Sequence, residues 1–220
     1  MTRTDATTAI AADTIIAEIA LLSSATLHEA AGKIGALPAA LKPLTPGMRV
    51  CGRALPVSGP PGDNLWLHHA IYEAKPGEVL VIDVGMGTEY GYWGEVMALA
   101  SQVRGIGGLV ITGGVRDSRC MVEMNFPVFS ATVCIRGTGK NPRGVGSIGT
   151  PIRIGDVTVN RRDIVCGDAD GVVVLPAAHA AAIAAEARAR DAAEQGIFEK
   201  LRAGKSTLEI YRLPELENRR

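Results

Sequence analysis

Charge of either sign is in no surplus in this chain: 23 Lys and Arg balance 23 Asp and Glu over 220 residues. No broad basic field is therefore available to hold nucleic acid. No window reaches the ~18 uninterrupted apolar residues of a membrane span, and Met1–Asp13 lacks the basic-then-apolar order of a signal peptide. These absences predict a cytoplasmic protein with neither nucleic acid nor membrane as partner. Cysteine is scarce. Cys51, Cys120, Cys134 and Cys166 are widely spaced, form no C-x-x-C and have no paired histidine ligands, so neither a zinc site nor a redox motif is written locally. They read as buried thiols. No G-x-x-x-x-G-K-[ST] and no G-x-S-x-G occurs, which sets aside a P-loop and a hydrolase nucleophile elbow. The glycine loop at 85–91 is not a dinucleotide fingerprint either, because three residues separate Gly87 from Gly91. No internal repeat is visible.

What is present is ordinary for one compact domain over residues 1–220: 47% hydrophobic and 21% charged residues. The stretch around Gly85–Asp117 reads as strand, glycine-rich loop, helix and strand, then an Arg-Asp pair. Val79–Val84 is a short β-branched run, Glu95–Arg104 carries Val96, Leu99, Ala100 and Val103 at helical spacing, and Gly108–Ile111 is again a buried-strand run. A right-handed βαβ crossover puts the Gly85–Gly94 and Gly113–Asp117 loops on one carboxyl edge of a parallel sheet. Ligands bind at that edge, and the helix start at Glu95–Met97 offers free N–H groups to a carboxylate. The implied guest is a small anion. Glu95, Arg116 and Asp117 would converge there. Glu95 is favoured at a helix start by the macrodipole with or without a function, and Arg116-Asp117 also reads as a surface ion pair worth little.

The rest of the chain frames this unit. Ala11–Leu22 predicts a helix through Ile15, Ile16, Ile19 and Leu22, and Thr26 with Glu29 predicts a capping box for a second helix that Gly32 ends. Met48–Val57 predicts a strand, and Asp63 a cap for a helix over Asn64–Ala74. Adjacent His68 and His69 point about 100° apart, which excludes a shared metal. His69 reads as a packing or surface residue, whereas His68 shares a face with Asn64 at i,i+4, a spacing at which the two can line a pocket. Ser118–Glu123 reads as a turn of helix, and Phe126–Ser130 with Thr132–Ile135 as strand. Arg136–Pro151, rich in glycine and carrying Arg136, Lys140 and Arg143, reads as a functional or mobile loop. Ile152–Val159 and Ile164–Leu175 predict hairpins turning at Gly155-Asp156 and Gly167-Asp168. Pro176 opens a long helix, about Ala177–Ala203, stopped by Gly204. At roughly 40 Å it is longer than its own sheet requires, and so predicts contact with a neighbouring subunit. A charged tail follows over 205–220.

The segments PPGDN (60–64), GYWGE (91–95), GGLVITGGVRD (107–117) and FPVFS (126–130) together resemble the RraA-like family. The most specific element is an acid, twenty intervening residues and then Arg-Asp, met here by Glu95 and Arg116-Asp117. The resemblance runs from about Leu27 to Tyr211. It implies an α/β fold of the swivelling β/β/α sandwich type with the central βαβ unit, and homotrimers or homohexamers with active sites between subunits. The family's enzymes are class II pyruvate aldolases that cleave 4-hydroxy-4-methyl-2-oxoglutarate or 4-carboxy-4-hydroxy-2-oxoadipate. By this resemblance Asp117 would ligate Mg²⁺, or Mn²⁺ or another divalent metal, and Glu95 would order its water. Gly94 with the N–H groups of Val96 and Met97 would receive the substrate carboxylate, beside Asn64 and His68. Arg116 would stabilise the C2 oxyanion, and Glu194 on the long helix best matches the acid that a neighbouring subunit supplies.

The chemistry is self-consistent. Retro-aldol cleavage of a 4-hydroxy-2-oxo acid leaves a pyruvate enolate, which a hard cation and an arginine stabilise without a Schiff base. Decarboxylation of oxaloacetate gives the same enolate and is the expected side activity. The six lysines fall outside the expected site edge, with Lys140 unplaced in its loop. Glu95 stands where many enzymatic relatives have Asp, and Thr112 where the strand end is often acidic. The rival expectation is an RraA-type regulator that binds a ribonuclease or other protein without catalysis, because fold alone does not decide function.

Overall fold

The structure, a computed structural model, describes residues 14–217. Its centre is four parallel strands: β2 (Val50–Ser58), β3 (Glu78–Asp83), β5 (Gly108–Val115) and β6 (Val128–Val133). β3 shows why they are central. Its Val79, Leu80, Val81 and Ile82 are all fully buried, as a strand covered on both faces requires. β1 (Lys42–Pro43) borders β6, while β10 (Ile164–Asp168) and β11 (Gly171–Leu175) extend the other side antiparallel to β2, giving the order β1-β6-β5-β3-β2-β10-β11. The sheet curls until its edges meet: β1 lies against β10 and β11, and Lys42 Nζ donates to the Asp170 carbonyl. The result is a mixed α/β fold around a nearly closed sheet.

Three apolar clusters fill the layers. Helices α3 (Leu65–Glu73), α4 (Glu95–Val103) and α5 (Ser118–Glu123) cover the outer face of the parallel strands around Leu55, Leu80, Trp93 and Phe126. A short β7 (Ser147–Ile148) pairs antiparallel with the end of β2, and inside the curl Val81, Val110 and Phe129 meet a small hairpin, β8 (Ile152–Ile154) and β9 (Val157–Val159). The third cluster packs α1 (14–19), α2 (Ser24–Ala30) and the start of α6 (Ala180–Arg202) on β10 and β11. α6 follows a 3-10 turn at Ala177–His179 and ends at Gly204, whose φ of 87° suits glycine. Its buried residues, Ala180, Ile183, Ala184 and Ala187, all lie in the first half, so the second half projects past the core. A short α7 (Thr207–Tyr211) closes the described chain.

Several sequence expectations are corrected. The cap of α2 is Ser23, whose Oγ accepts from Thr26 N at 3.0 Å, so the helix starts before Thr26. The part of the first helix at 11–13, and the tail at 218–220, lie outside the described residues. The apolar stripe of α4 marks the helix correctly but faces outward: Val96, Leu99 and Val103 are exposed while Met97, Ala98 and Ser101 are buried. β5 continues through Gly113 and Gly114, which the sequence reading placed in a loop, and an extra strand β4 (Gly91–Trp93) pairs with it there. Glycine permits this pairing, since a Cβ on Gly113 would stand 2.6 Å from the Tyr92 ring and one on Gly114 2.7 Å from the Tyr90 carbonyl. The last hairpin turns at Ala169-Asp170, and Asp168 stays in β10 as a buried acceptor for Ser24. Of the four cysteines only Cys166 is buried, and the other three are partly exposed.

Candidate functional site

The carboxyl ends of the parallel strands hold a cavity of about 200 Å³ whose wall includes Asn64 and His68 of the α3 start, Trp93 and Gly94, Met97, Arg116 and Asp117, and Lys140. Each reaches it for a local reason. β4 ends at Trp93 and Gly94 caps α4 in an extended conformation, so the first turn of α4 points its N–H groups at the cavity. The helix itself supplies no acceptor for the N–H groups of Val96 and Met97. Position 94 must be glycine because Asp117 and Arg116 press on it: a Cβ there would meet Asp117 Oδ2 at 2.4 Å and Arg116 Cγ at 3.2 Å.

Asp117 is strained, and its side chain does not cap α5. It adopts φ 52°, ψ 35° at the N-cap of α5 yet makes no capping bond, an arrangement that costs a non-glycine residue about 1 kcal/mol or more. Its carboxylate instead turns to the cavity, where Oδ2 accepts from Glu95 N at 3.2 Å and faces Arg116 Nε at 3.7 Å. Both side chains are about half exposed, so the pair is worth little as a stabilising ion pair and stays free to bind. Glu95 itself is exposed on the rim rather than in the wall, with its carboxylate beside the Cys120 thiol.

Two buried side-chain atoms on residues that line the wall lack partners. Asn64 donates its amide N–H to the Tyr92 carbonyl at 2.8 Å, leaving Oδ1 buried and unbonded, and Trp93 Nε1 is buried and unbonded too. Only one other such side-chain atom, Ser101 Oγ, occurs among the described residues. His68 is held below the usual histidine range by burial first and by the nearby Lys140 charge second, so it faces the cavity neutral at pH 7. His69 is exposed.

Lys140 is the residue that sequence reasoning could not place. The loop that carries it is not loose: Gly139 N donates to Gly62 O at 2.7 Å, Asn64 N to Gly139 O at 3.2 Å, Asn141 N to Asp63 Oδ2 at 2.5 Å, and Trp66 Nε1 to Gly144 O at 2.9 Å. Asp63, expected only as a helix cap, accepts from Leu65 N as well and so ties the α3 start to this loop. The signal was the PPGDN segment itself, whose aspartate has more acceptor capacity than one cap uses. The site edge therefore does contain a lysine, contrary to the sequence expectation. Glu194, by contrast, lies outside the cavity of its own chain. It is on the outer half of α6, 3.6 Å from Arg190.

No group of three or more His, Cys, Asp and Glu side chains is placed to hold a metal among the described residues. A cation caged wholly by protein does not fit. A hard cation that keeps most of its waters and needs one or two carboxylates does fit the free carboxylate of Asp117. No helix among the described residues is long and apolar enough to cross a membrane.

Comparison with known proteins adds to this geometry. A family model described as RraA-like, Aldolase/RraA, matches residues 8–174. A protein of Halalkalibacterium halodurans, provisionally named 4-hydroxy-4-methyl-2-oxoglutarate aldolase, is 38% identical over 140 residues, which cover 64% of this chain and 66% of that relative. The match thus spans just under two thirds of the relative's length. The crystal structure of an uncharacterised protein from Pseudomonas syringae pv. tomato superposes with a TM-score of 0.79 at 29% identity, covering 91% of this chain and 93% of that one. The RNA-processing inhibitor RraA from Thermus thermophilis superposes at 0.58 with 26% identity, covering 64% and 84%.

Proposed function

The chain belongs to the RraA-like family, and from that premise we propose that it is an aldolase cleaving a 4-hydroxy-2-oxo acid into pyruvate and a second oxo compound, with divalent-metal dependence and oxaloacetate decarboxylation as a side activity. The observation that carries this reading is the convergence of Arg116, the strained, half-exposed Asp117 and the Val96 and Met97 N–H groups of α4 on one small cavity.

The substrate's C1 carboxylate accepts from the N–H groups of Val96 and Met97, where the helix dipole also favours negative charge. Arg116 then stands beside the C2 oxygen. Removal of the C4 hydroxyl proton forms the new carbonyl, the C3–C4 bond breaks, and its electron pair moves through C3 and C2 onto that oxygen. Arg116 stabilises the charge that develops there, a contribution of about 3 kcal/mol for a well-aimed donor. Protonation at C3 completes pyruvate. Lys140 and neutral His68 face the part of the substrate beyond C3, and Lys140 suits a second carboxylate. A bound Mg²⁺, held through Asp117, would supply further positive charge at the C2 oxygen. Glu95 on the rim is placed to relay the hydroxyl proton through a water.

The same proposal includes a homotrimer or homohexamer with sites between copies. Support comes from the exposed Val96, Leu99 and Val103 on α4 next to the cavity and from the exposed Phe198, Leu208, Tyr211 and Leu213 on the projecting C-terminal arm. An arm of this kind from a neighbouring copy would bring Glu194 to the site. The likeness to the RraA inhibitor supports a second reading, a binding protein without turnover. Pyruvate release coupled to lactate dehydrogenase, with Mg²⁺ and with excess chelator, separates the two. We expect turnover that chelator abolishes and Asp117→Ala lacks, with no borohydride-trapped adduct at Lys140. Turnover by Asp117→Ala equal to that of the parent protein would sink the assignment.

A further inference from the structure

Near the start of β2, at the opposite end of that strand from the cavity, two cysteines 115 residues apart in sequence face each other. Cys51 on β2 and Cys166 on β10 are direct partners in the antiparallel register, and their sulfurs stand 3.0 Å apart as free thiols. Directly opposed residues of an antiparallel pair have Cα atoms about 4.5–5.5 Å apart, inside the range of about 4.4–6.8 Å that a disulfide spans. To bond at about 2.05 Å the sulfurs need approach by only ~1 Å, which side-chain rotation supplies. We propose that Cys51 and Cys166 form a thiol oxidation site that converts reversibly to an intramolecular disulfide on reaction with a hydroperoxide.

Access and reactivity fall on the same sulfur. A cavity of about 300 Å³ opens onto the pair, lined by Ile19, Arg49, Cys51, Gly107 and Cys166. Cys51 is partly exposed and Cys166 buried, so the peroxide meets Cys51 first. The contact with Cys166, together with the Arg49 charge, lowers the Cys51 thiol against its burial, while Cys166 is pushed well up. Of the two sulfurs Cys51 gives up its proton more readily, and the thiolate is the form that reacts. The other thiols are less suited. Partial burial and the neighbouring Glu95 and Glu123 carboxylates push Cys120 up, and Cys134 is engaged by the Glu89 carbonyl at 3.2 Å.

The Cys51 thiolate attacks the nearer peroxide oxygen. The O–O bond breaks, the alkoxide or hydroxide takes up a proton, and Cys51 becomes a sulfenic acid. The Cys166 sulfur then attacks Cys51 Sγ, forming the S–S bond and releasing water with the Cys166 proton. Two thiols lose two electrons and one hydroperoxide gains them. Excess dithiol reverses the change.

The test treats the native protein with one equivalent of hydrogen peroxide and then maps tryptic peptides without reduction. The expected result is loss of two of the four thiols, a linked pair of peptides holding Cys51 and Cys166, and full recovery with dithiothreitol. In Cys166→Ser, dimedone should label Cys51, because the second sulfur is gone. Oxidation appearing first at Cys120 or Cys134, or no linked peptide in the parent protein, would overturn the proposal. The parent map decides alone should Cys166→Ser fail to fold.

Discussion

Replacing Gly94 by alanine separates the site's function from its stability. Gly94 has φ −158° and ψ −169°, extended backbone that alanine adopts without strain. The added methyl carbon, however, would sit 2.4 Å from Asp117 Oδ2, and ordinary contact begins near 3.4 Å. The carboxylate must therefore retreat by about 1 Å, which breaks its bond from Glu95 N and moves it relative to Arg116. Asp117 is 44% exposed and can move into solvent, so the fold absorbs the change. A displacement of ~1 Å among positioning groups costs on the order of 100-fold in rate, about 2.7 kcal/mol of transition-state stabilisation. The coupled pyruvate assay should show that loss with the unfolding midpoint nearly unchanged, and Gly47→Ala, where a Cβ meets nothing within 4 Å, should behave like the parent. Turnover by Gly94→Ala within about twofold of the parent would refute the reasoning.

Other substitutions read different parts of the argument. Asp117→Gly should abolish turnover while leaving thermal stability equal or up to about 1 kcal/mol higher, because glycine relieves the left-handed backbone and no capping bond is lost. Thermal denaturation beside the activity assay checks both halves. Lys140→Ala should raise KM for a dicarboxylic aldol substrate by about 10-fold or more, the worth of one charged hydrogen bond, yet leave enolisation of pyruvate itself, followed as methyl-proton exchange by NMR, nearly unchanged. Asp168 tests the fold's charge balance. Its burial alone would raise the carboxyl, but donation from Ser24 Oγ and N and from Asp170 N, with Arg49 close by, outweighs burial and lowers it. A carboxyl lowered by folding stabilises the protein fully above its unfolded value of about 3.9, and that contribution disappears as pH falls through the lower, folded value. Asp168→Asn should accordingly be about 2 kcal/mol less stable at pH 7, and urea titrations should show the gap closing toward pH 2.

Local chemistry made much of this protein legible in its sequence. β-branched runs at Val79–Val84 and Gly108–Ile111 specify buried strands, Ser118–Glu123 is a helix in sequence and structure alike, and Gly204 ends α6 at the residue the pattern names. Helical spacing from Glu95 located the α4 start, and the βαβ crossover put it on one sheet edge with Arg116-Asp117, because both follow from strand and helix lengths in one unit, which are short-range properties. Contacts between distant segments were invisible. Periodicity reports that a helix has an apolar stripe but not which face the sheet takes, so Val96, Leu99 and Val103 were read correctly as helix without their outward orientation. β4 exists only because Gly113 and Gly114 let Tyr92 and the Tyr90 carbonyl approach β5 closely. Lys140 reaches the cavity through hydrogen bonds between the 136–146 loop and residues 62–66, about 75 positions upstream. Cys51 and Cys166 become partners through β2–β10 register alone. Strand and helix type are set within a few residues by sterics and burial. Which side chains meet across the sheet is set by register and curl, and only the folded chain decides those.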